Sequence, residues 1–257
     1  GNTVMQKNFA GGHLTITGAN SPAGLASRPI RIVLQDEVDR FPPSAGAEGD
    51  PVNLARKRTA TFWNRKIILT STPTIKGVSR IEAAFEASDQ RRFFVPCPHC
   101  DEPQTLKWSS VSWPENEPEK AVYACEHCGG VIEERQKLLM LQKGFWKATR
   151  ESRNAGFHLN ELYSPWRTWS EVAIDFLEAK KNPETLKTWV NTSLGETWEE
   201  QGESVEGENL LSRREAFDVE AIPPEVKLLT VGVDVQADRL EAQLVGWDTD
   251  NGAWILE

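Results

Sequence analysis

Short apolar runs that end in polar residues mark the first third of the chain. Residues 30–34 and 66–69 are such runs, and each leads directly into polar side chains. Between them, Asp50-Pro51 is typical of an N-cap followed by the first helical position, and predicts a helix that continues to about Phe62. A buried-type strand at 30–34 and a second apolar strand at 66–69, joined by a helix, predict a parallel pair in an α/β core. The functional site of such a core lies at the carboxyl ends of its strands.

Capping signals predict further elements downstream. Helices are expected at residues 78–87, 133–143, 168–181 and 182–195, the third opened by the capping box Thr168-Trp169-Ser170-Glu171. Pro223-Pro224 indicates a linker. Beyond it, alternating residues predict strands at 228–235, 240–247 and 253–257, with a turn at 248–252. The tryptophans of the middle region are expected to pack in a core rather than to stack on bases; they are Trp146, Trp166, Trp169, Trp189 and Trp198.

The only cysteines form two Cys-x-x-Cys knuckles, Cys97-Pro98-His99-Cys100 and Cys125-Glu126-His127-Cys128. This spacing predicts one tetrahedral zinc site of four thiolates, and most such closed sites are structural. His99 and His127 are then loop residues rather than ligands. Paired knuckles also indicate a reducing, intracellular setting instead of a disulfide framework.

The formal net charge of −9 is unevenly distributed. Residues 1–110 contain 14 Lys/Arg against 10 Asp/Glu, and acid predominates afterwards. The basic runs Arg56-Lys57-Arg58, Arg65-Lys66 and Arg91-Arg92 are compatible with a solvated face or with DNA contact, and both interpretations stay open. No signal peptide and no apolar run of membrane-spanning length occurs in the sequence.

Asp36-Glu37 at a strand end fits a Walker B pair, in which the first carboxylate lies near a nucleotide-bound magnesium ion and the second orients water. Ser71-Thr72 at the next strand end fits hydroxyls that sense a γ-phosphate. The alternatives are acids that solubilise a strand end and an ordinary polar turn around Pro73. No G-x-x-x-x-G-K-[ST] loop occurs. If this is a P-loop protein, the chain is therefore expected to be its downstream part, in keeping with a start that lacks methionine.

Asp234 lies within the apolar strand Val231-Gly232-Val233-Asp234-Val235. A carboxylate followed by antiparallel strands suits the opening of a ribonuclease H-like nuclease, where acids gather metal ions for phosphodiester cleavage. The alternative is a hydrogen-bonded structural aspartate at a strand end.

Together these motifs resemble the large terminase subunit of tailed bacteriophages and prophages, in its lambda-like GpA branch. The matching segments run in order along nearly the whole chain: residues 17–22, 34–39, 71–74, the two knuckles, 156–160, 191–196, 232–236 and Asp238-Arg239. The resemblance implies a DNA-packaging motor with an ATPase domain and a ribonuclease H-like nuclease domain that cuts concatemeric DNA.

On this resemblance the α/β chain comprises the C-terminal part of a P-loop ATPase domain with its parallel sheet (1–92), a zinc ribbon (93–135), a helical connector and linker (136–225) and the opening antiparallel strands of the nuclease (226–257). Asp36 and Glu37 would be catalytic, with magnesium and ATP at Asp36. Ser71 and Thr72 would couple hydrolysis to movement, and Asp234 would bind magnesium or manganese as a nuclease acid.

The same resemblance implies double-stranded phage DNA, the small terminase subunit and the portal or procapsid as partners. It also implies a homo-oligomer during packaging, action in the cytoplasm of the bacterial host and no membrane. The isolated segment is expected to be inactive by itself. Two other classes stay open: a zinc-ribbon nucleic-acid-binding or scaffold protein without catalysis, and a superfamily 2 helicase fragment. A helicase would need a second parallel-stranded domain after the cysteines instead of an antiparallel meander.

Overall fold

A computed structural model of the chain describes residues 2–199, 222–235, 240–250 and 252–255, in two compact units, residues 1–200 and 201–257. The described part is a mixed α/β structure with several small sheets. Its α-helices are α1 (Pro22–Ala26), α2 (Pro51–Lys57), α3 (Arg80–Glu86), α4 (Glu134–Gln142), α5 (Trp169–Ala179) and α6 (Pro183–Trp189). Within these residues, no helix has the length and apolar character needed to cross a membrane.

The strands of the first unit form a hairpin, a parallel pair and two sheets around the cysteines. The hairpin is β1 (Gln6–Phe9) with β2 (Gly12–Thr15), and the parallel pair is β3 (Ile32–Asp36) with β4 (Lys66–Thr70). One further sheet contains β5 (Arg91–Pro96), β6 (Pro103–Gln104), β10 (Phe145–Lys147) and β11 (Phe157–His158); the other contains β7 (Val111–Ser112), β8 (Val122–Ala124) and β9 (Val131–Ile132).

The predicted parallel pairing of β3 and β4 is confirmed, and α2 is the helix between them. Asp50 caps α2 as expected, its Oδ2 accepting from the backbone N–H of Asn53 at 3.0 Å. The helix ends at Lys57 rather than near Phe62, so its predicted length is wrong. The Thr59 hydroxyl donates to the Arg56 carbonyl at 2.8 Å, and tighter turns replace the helical hydrogen bonds beyond it.

Strand β3 is buried on one face only, which corrects its prediction as a fully buried strand. Val33 and Gln35 are buried, whereas Ile32 and Leu34 are exposed. Val33 packs in a small cluster with Leu25, Ala45 and Ala55, so that α1 and α2 supply apolar cover on that face. The Nε2 of buried Gln35 donates to the Val52 carbonyl at 3.3 Å, whereas its Oε1 is buried without a hydrogen-bond partner among the described residues.

The larger core surrounds the cysteine sheets and the helices that follow them. Trp169 and Trp189 are buried there, which confirms the expectation of a packing role for these two. Trp166 is 88% exposed, so for this residue the expectation was wrong. It lies in the turn before the capping box of α5, where Thr168 and Glu171 form the predicted reciprocal hydrogen bonds.

After α6, a π-helical turn (Val190–Leu194) ends at Gly195, which adopts the left-handed conformation of a C-cap with φ of 64°. In the second unit, the predicted antiparallel meander is confirmed as β12 (Leu228–Val235), β13 (Leu240–Trp247) and β14 (Ala253–Ile255), and the last two residues of the predicted third strand, 256–257, lie outside the described residues. The segment 236–239, with Gln236 and the Asp238-Arg239 pair of the sequence motif, lies outside the described residues, as does most of the acidic stretch after Glu196.

Candidate functional site

Asp36 and Thr70 lie opposite each other at the carboxyl ends of β3 and β4. The Thr70 hydroxyl donates to Asp36 Oδ1 at 2.6 Å, and both side chains are exposed. Glu37 follows with φ of 55°, a left-handed conformation that is unusual for a residue with a side chain. The two predicted Walker B carboxylates therefore lie at a strand end that is exposed to solvent. Thr70 was missed, although the register of the two strands would have singled it out.

The predicted Ser71-Thr72 pair lies in the loop immediately after β4. Ser71 Oγ accepts from the backbone N–H of Asp39 at 3.2 Å and donates to the Thr72 carbonyl at 2.9 Å. Asp39 in turn accepts from the Thr74 hydroxyl at 3.0 Å and from the backbone N–H of Ile81 at 2.8 Å. Asp39 thus ties the loop after β3 to the loop after β4 and to the start of α3.

Arg80 holds the loop that follows Glu37. Its guanidinium donates to the carbonyls of Val38, Phe41 and Pro42 at 2.9–3.0 Å. It also pairs with the Asp50 carboxylate at 3.2 Å. Because one planar guanidinium with several donors binds three backbone carbonyls, it holds the loop beside the Asp36 end of the sheet in one conformation.

A distant segment supports the other side of the site. The Asn191 side-chain amide donates to the carbonyls of Thr74 and Glu196, each at 2.8 Å. The Trp198 N–H donates to the same Thr74 carbonyl at 2.8 Å, and the Lys76 N–H donates to the Trp198 carbonyl at 3.0 Å. Residues 191–198 therefore brace the loop that contains the predicted coupling residues.

The four cysteines converge on one point. The ligand atoms of Cys97, Cys100, Cys125 and Cys128 all lie within 4.8 Å of one another. Cys97 and Cys125 are buried, and the other two are exposed. His99 Nε2 lies 2.8 Å from the Val131 carbonyl and His127 Nε2 lies 3.3 Å from the Pro103 carbonyl, so both imidazoles engage backbone rather than the sulfurs. Four convergent thiols fit the donor set of a tetrahedral zinc ion.

The segment Gly156–Asn160 of the sequence motif forms a junction beside β5. His158 lies between Arg92, whose guanidinium is 2.6 Å from Nδ1, and the Gly195 carbonyl, which is 3.1 Å from Nε2. Arginine can only donate, so Nδ1 accepts and Nε2 carries the proton. Burial, together with the positive charge of Arg92, lowers the pKa of His158. This histidine is therefore neutral, and it links Arg92 of β5 to the Gly195 carbonyl.

Asp234 lies near the end of β12 and is exposed. The strand register pairs it directly with Glu241 of β13, so both carboxylates project from the same face of the sheet. Sequence reasoning missed Glu241. The signal was present in the two predicted strands, since a hairpin centred between them brings these positions opposite each other.

Comparisons with known proteins agree with these motifs. The family profile "Phage terminase large subunit gpA, ATPase domain" matches residues 1–146, and "Terminase large subunit gpA, endonuclease domain" matches residues 154–257. The chain is 35% identical to "Terminase, large subunit" of Enterobacteria phage P21 and 30% identical to the protein of the same name from Escherichia phage lambda. Each alignment covers 100% of this chain but 44% of the relative, so the chain spans less than half the length of either. No solved structure matches it. The chain belongs to the gpA family of phage terminase large subunits.

Proposed function

We propose that this chain is part of a DNA-packaging enzyme that couples ATP hydrolysis to translocation of double-stranded phage DNA and cuts concatemeric DNA. The observation that carries the proposal is the Asp36–Thr70 hydrogen bond at the carboxyl ends of two parallel strands, in a chain of the gpA family. This edge of a parallel sheet is where α/β proteins bind ligands. The enzyme would act in the host cytoplasm. Its partners would be the small terminase subunit and the portal or procapsid, and it would package DNA as a homo-oligomer.

Asp36 would hold magnesium together with the phosphates of ATP. Thr70 occupies Oδ1, which orients the carboxylate and leaves Oδ2 to face a ligand. When bound, the ion would neutralise phosphate charge during hydrolysis. Glu37, exposed and next to Asp36, would orient the attacking water. Ser71 and Thr72 would respond to the γ-phosphate, and their hydrogen bonds to Asp39 and the loop backbone would carry that response to α3.

The second catalytic centre would lie on the meander of the second unit. Asp234 and Glu241 present two carboxylates from neighbouring strands on one face, an arrangement suited to magnesium or manganese. Such ions, when bound, would stabilise the attacking and leaving oxygens of a cleaved phosphodiester. The meander supports a ribonuclease H-like nuclease over a helicase, which would require parallel strands after the cysteines.

The domain division proposed is an ATPase part at 1–92, a zinc ribbon at 93–135, a connector and linker at 136–225 and the start of the nuclease at 226–257. The four-cysteine cluster supports zinc in the ribbon, where it would cross-link the two knuckles beside strands that already bury Val95, Tyr123 and Ile132 in the larger core. A nucleic-acid-binding scaffold without catalysis would contain the same ribbon. A scaffold of this kind would not explain the acidic pairs at two separate places, Asp36 with Glu37 and Asp234 with Glu241.

The decisive experiment uses a complete terminase that contains this sequence. Asp36→Ala should abolish ATP hydrolysis and packaging while leaving DNA cutting measurable. Asp234→Ala should abolish cutting while leaving ATP hydrolysis nearly intact, because the two reactions use separate carboxylates. ATP turnover at the wild-type rate in Asp36→Ala, or normal cutting in Asp234→Ala, would refute the corresponding assignment.

A further inference from the structure

A basic cleft lies beside α2 in the first unit, separate from the Asp36 edge. Its volume is about 380 Å³. The residues that line it are Asn53, Arg56, Lys57, Thr59, Ala60 and Arg65. Three of these six are cationic and none is acidic, so the cleft attracts anions although the whole chain carries a formal charge of −9.

The cations of this cleft are available to a ligand. Arg56, Lys57 and Arg65 are exposed, and among the described residues none of the three forms an ion pair. Arg58, in contrast, donates to the Ala26 carbonyl at 2.9 Å and belongs to the scaffold. Asn53 and Thr59 add neutral polar groups to the lining. The combination of exposed guanidinium and ammonium groups with polar neighbours suits phosphate oxygens.

The position of the cleft separates it from the proposed nucleotide site. Arg65 immediately precedes Lys66, the first residue of β4, which pairs with Ile32, the first residue of β3. Asp36 and Thr70 end the same strands four residues later, about 13 Å away along the sheet. A nucleotide bound at the carboxyl ends of the strands therefore leaves the cations at the amino ends for a different phosphate ligand.

An exposed aromatic side chain lies close to these cations in the sequence. Trp63 is 94% exposed and precedes Arg65 by two residues. We propose that this cleft, with Arg56, Lys57 and Arg65, binds the phosphate backbone of duplex DNA, independently of sequence. The proposal rests on the DNA-packaging function and adds to it a contact site on the ATPase side.

The test measures binding of a fluorescently labelled DNA duplex by anisotropy over a range of salt concentrations. Each cation that contacts a phosphate contributes about one unit to the slope of log K against log salt. The double variant Arg56→Ala/Arg65→Ala should therefore bind more weakly at low salt, with a slope that is shallower by about two. Lys143→Ala/Arg153→Ala is the matched control, since it removes the same charge at two exposed positions elsewhere. It should keep the wild-type slope.

Thermal melting of both double variants establishes that they are folded, so that a weaker complex reflects the lost contacts. The proposal would be overturned by an unchanged slope in Arg56→Ala/Arg65→Ala or by no duplex binding in the wild-type chain. It would also be overturned if the control variant lost as much affinity for the duplex as Arg56→Ala/Arg65→Ala. Competition in which ATP or an acidic polypeptide, but not unlabelled duplex, displaces the probe would likewise overturn it. The salt slope tests only this cleft. The Asp36→Ala and Asp234→Ala measurements of ATP hydrolysis and DNA cutting test the proposed function, and their outcome does not depend on the slope.

Discussion

Thr70 donates its hydroxyl hydrogen to Asp36 Oδ1 across 2.6 Å, joining the last residues of two parallel strands. In a complete terminase, Thr70→Val should lower ATP turnover by about tenfold, since the carboxylate loses the donor that orients it and one positioned hydrogen bond is worth about 1–2 kcal/mol. Steady-state phosphate release measures the effect. Thr188→Val is the control, because that hydroxyl donates to the Glu184 carbonyl of its own helix, away from the Asp36 edge. Equal rates in the two variants would argue against a role for Thr70.

Zinc removal should destabilise the first unit. Elemental analysis should find one zinc ion per chain, and X-ray absorption should give Zn–S distances of about 2.3 Å. Chelation, or Cys125→Ser, should lower the melting temperature by roughly 10 °C or more, since a structural zinc ion supplies folding free energy directly and each kcal/mol shifts the melting temperature of a chain of this size by about 2–4 °C.

His127→Ala is the control for the zinc prediction, because its imidazole lies against the Pro103 carbonyl. It should retain the metal. A full complement of zinc in Cys125→Ser, or loss of zinc from His127→Ala, would show that the ligand set is different.

Gly156 lies where a side chain has no room. A Cβ at this position would meet Ser88 Oγ at 1.9 Å and Ser88 Cβ at 2.7 Å. Gly156→Ala should therefore reduce the free energy of unfolding by about 1–3 kcal/mol, the usual cost of overpacking. Gly18→Ala is the control, since a Cβ there has open space and Gly18 has no positive φ. Denaturant melts that give equal midpoints for both variants would contradict this packing argument.

The His158 junction should make stability depend on pH. Its folded-state pKa is lowered from 6.5 because burial and Arg92 disfavour a second proton. The unfolded chain therefore takes up the proton first, and stability that is present above about pH 6.5 is lost as the pH falls toward the folded-state pKa. His158→Gln should flatten this part of the profile, measured by melts between about pH 8 and pH 5. His13→Gln, at an exposed position, should leave it unchanged.

Glu241 should matter for cutting as much as Asp234 does. In a complete terminase, Glu241→Gln should reduce metal-dependent DNA cleavage by about a hundredfold or more, because it removes one charge from a paired carboxylate site. ATP hydrolysis should be unaffected. Gln243→Ala, two residues along the same strand, is the control, and equal cleavage by the two variants would remove Glu241 from the site.

Local signals in the sequence were sufficient for much of this structure. Asp50 and Thr168 cap their helices because N-cap preferences depend on a few adjacent residues. The β3–β4 pairing followed from two apolar runs joined by a helix. Arg80 could not have been assigned in this way, since its three carbonyl acceptors lie about forty residues upstream and depend on how α3 packs. Thr70 and Glu241 were within reach, but only through strand register.

The bracing of Thr74 by Asn191 and Trp198 affects how this protein can be divided. Residues 191–198 fall within the endonuclease match at 154–257, yet they hold the loop that follows β4 in the ATPase match at 1–146. A fragment cut between the two matches would deprive the Lys76 N–H and the Thr74 carbonyl of their partners. A fragment that keeps these contacts of the loop after β4 has to extend through residue 198, so the border between the two domain matches is not a border of the folded structure.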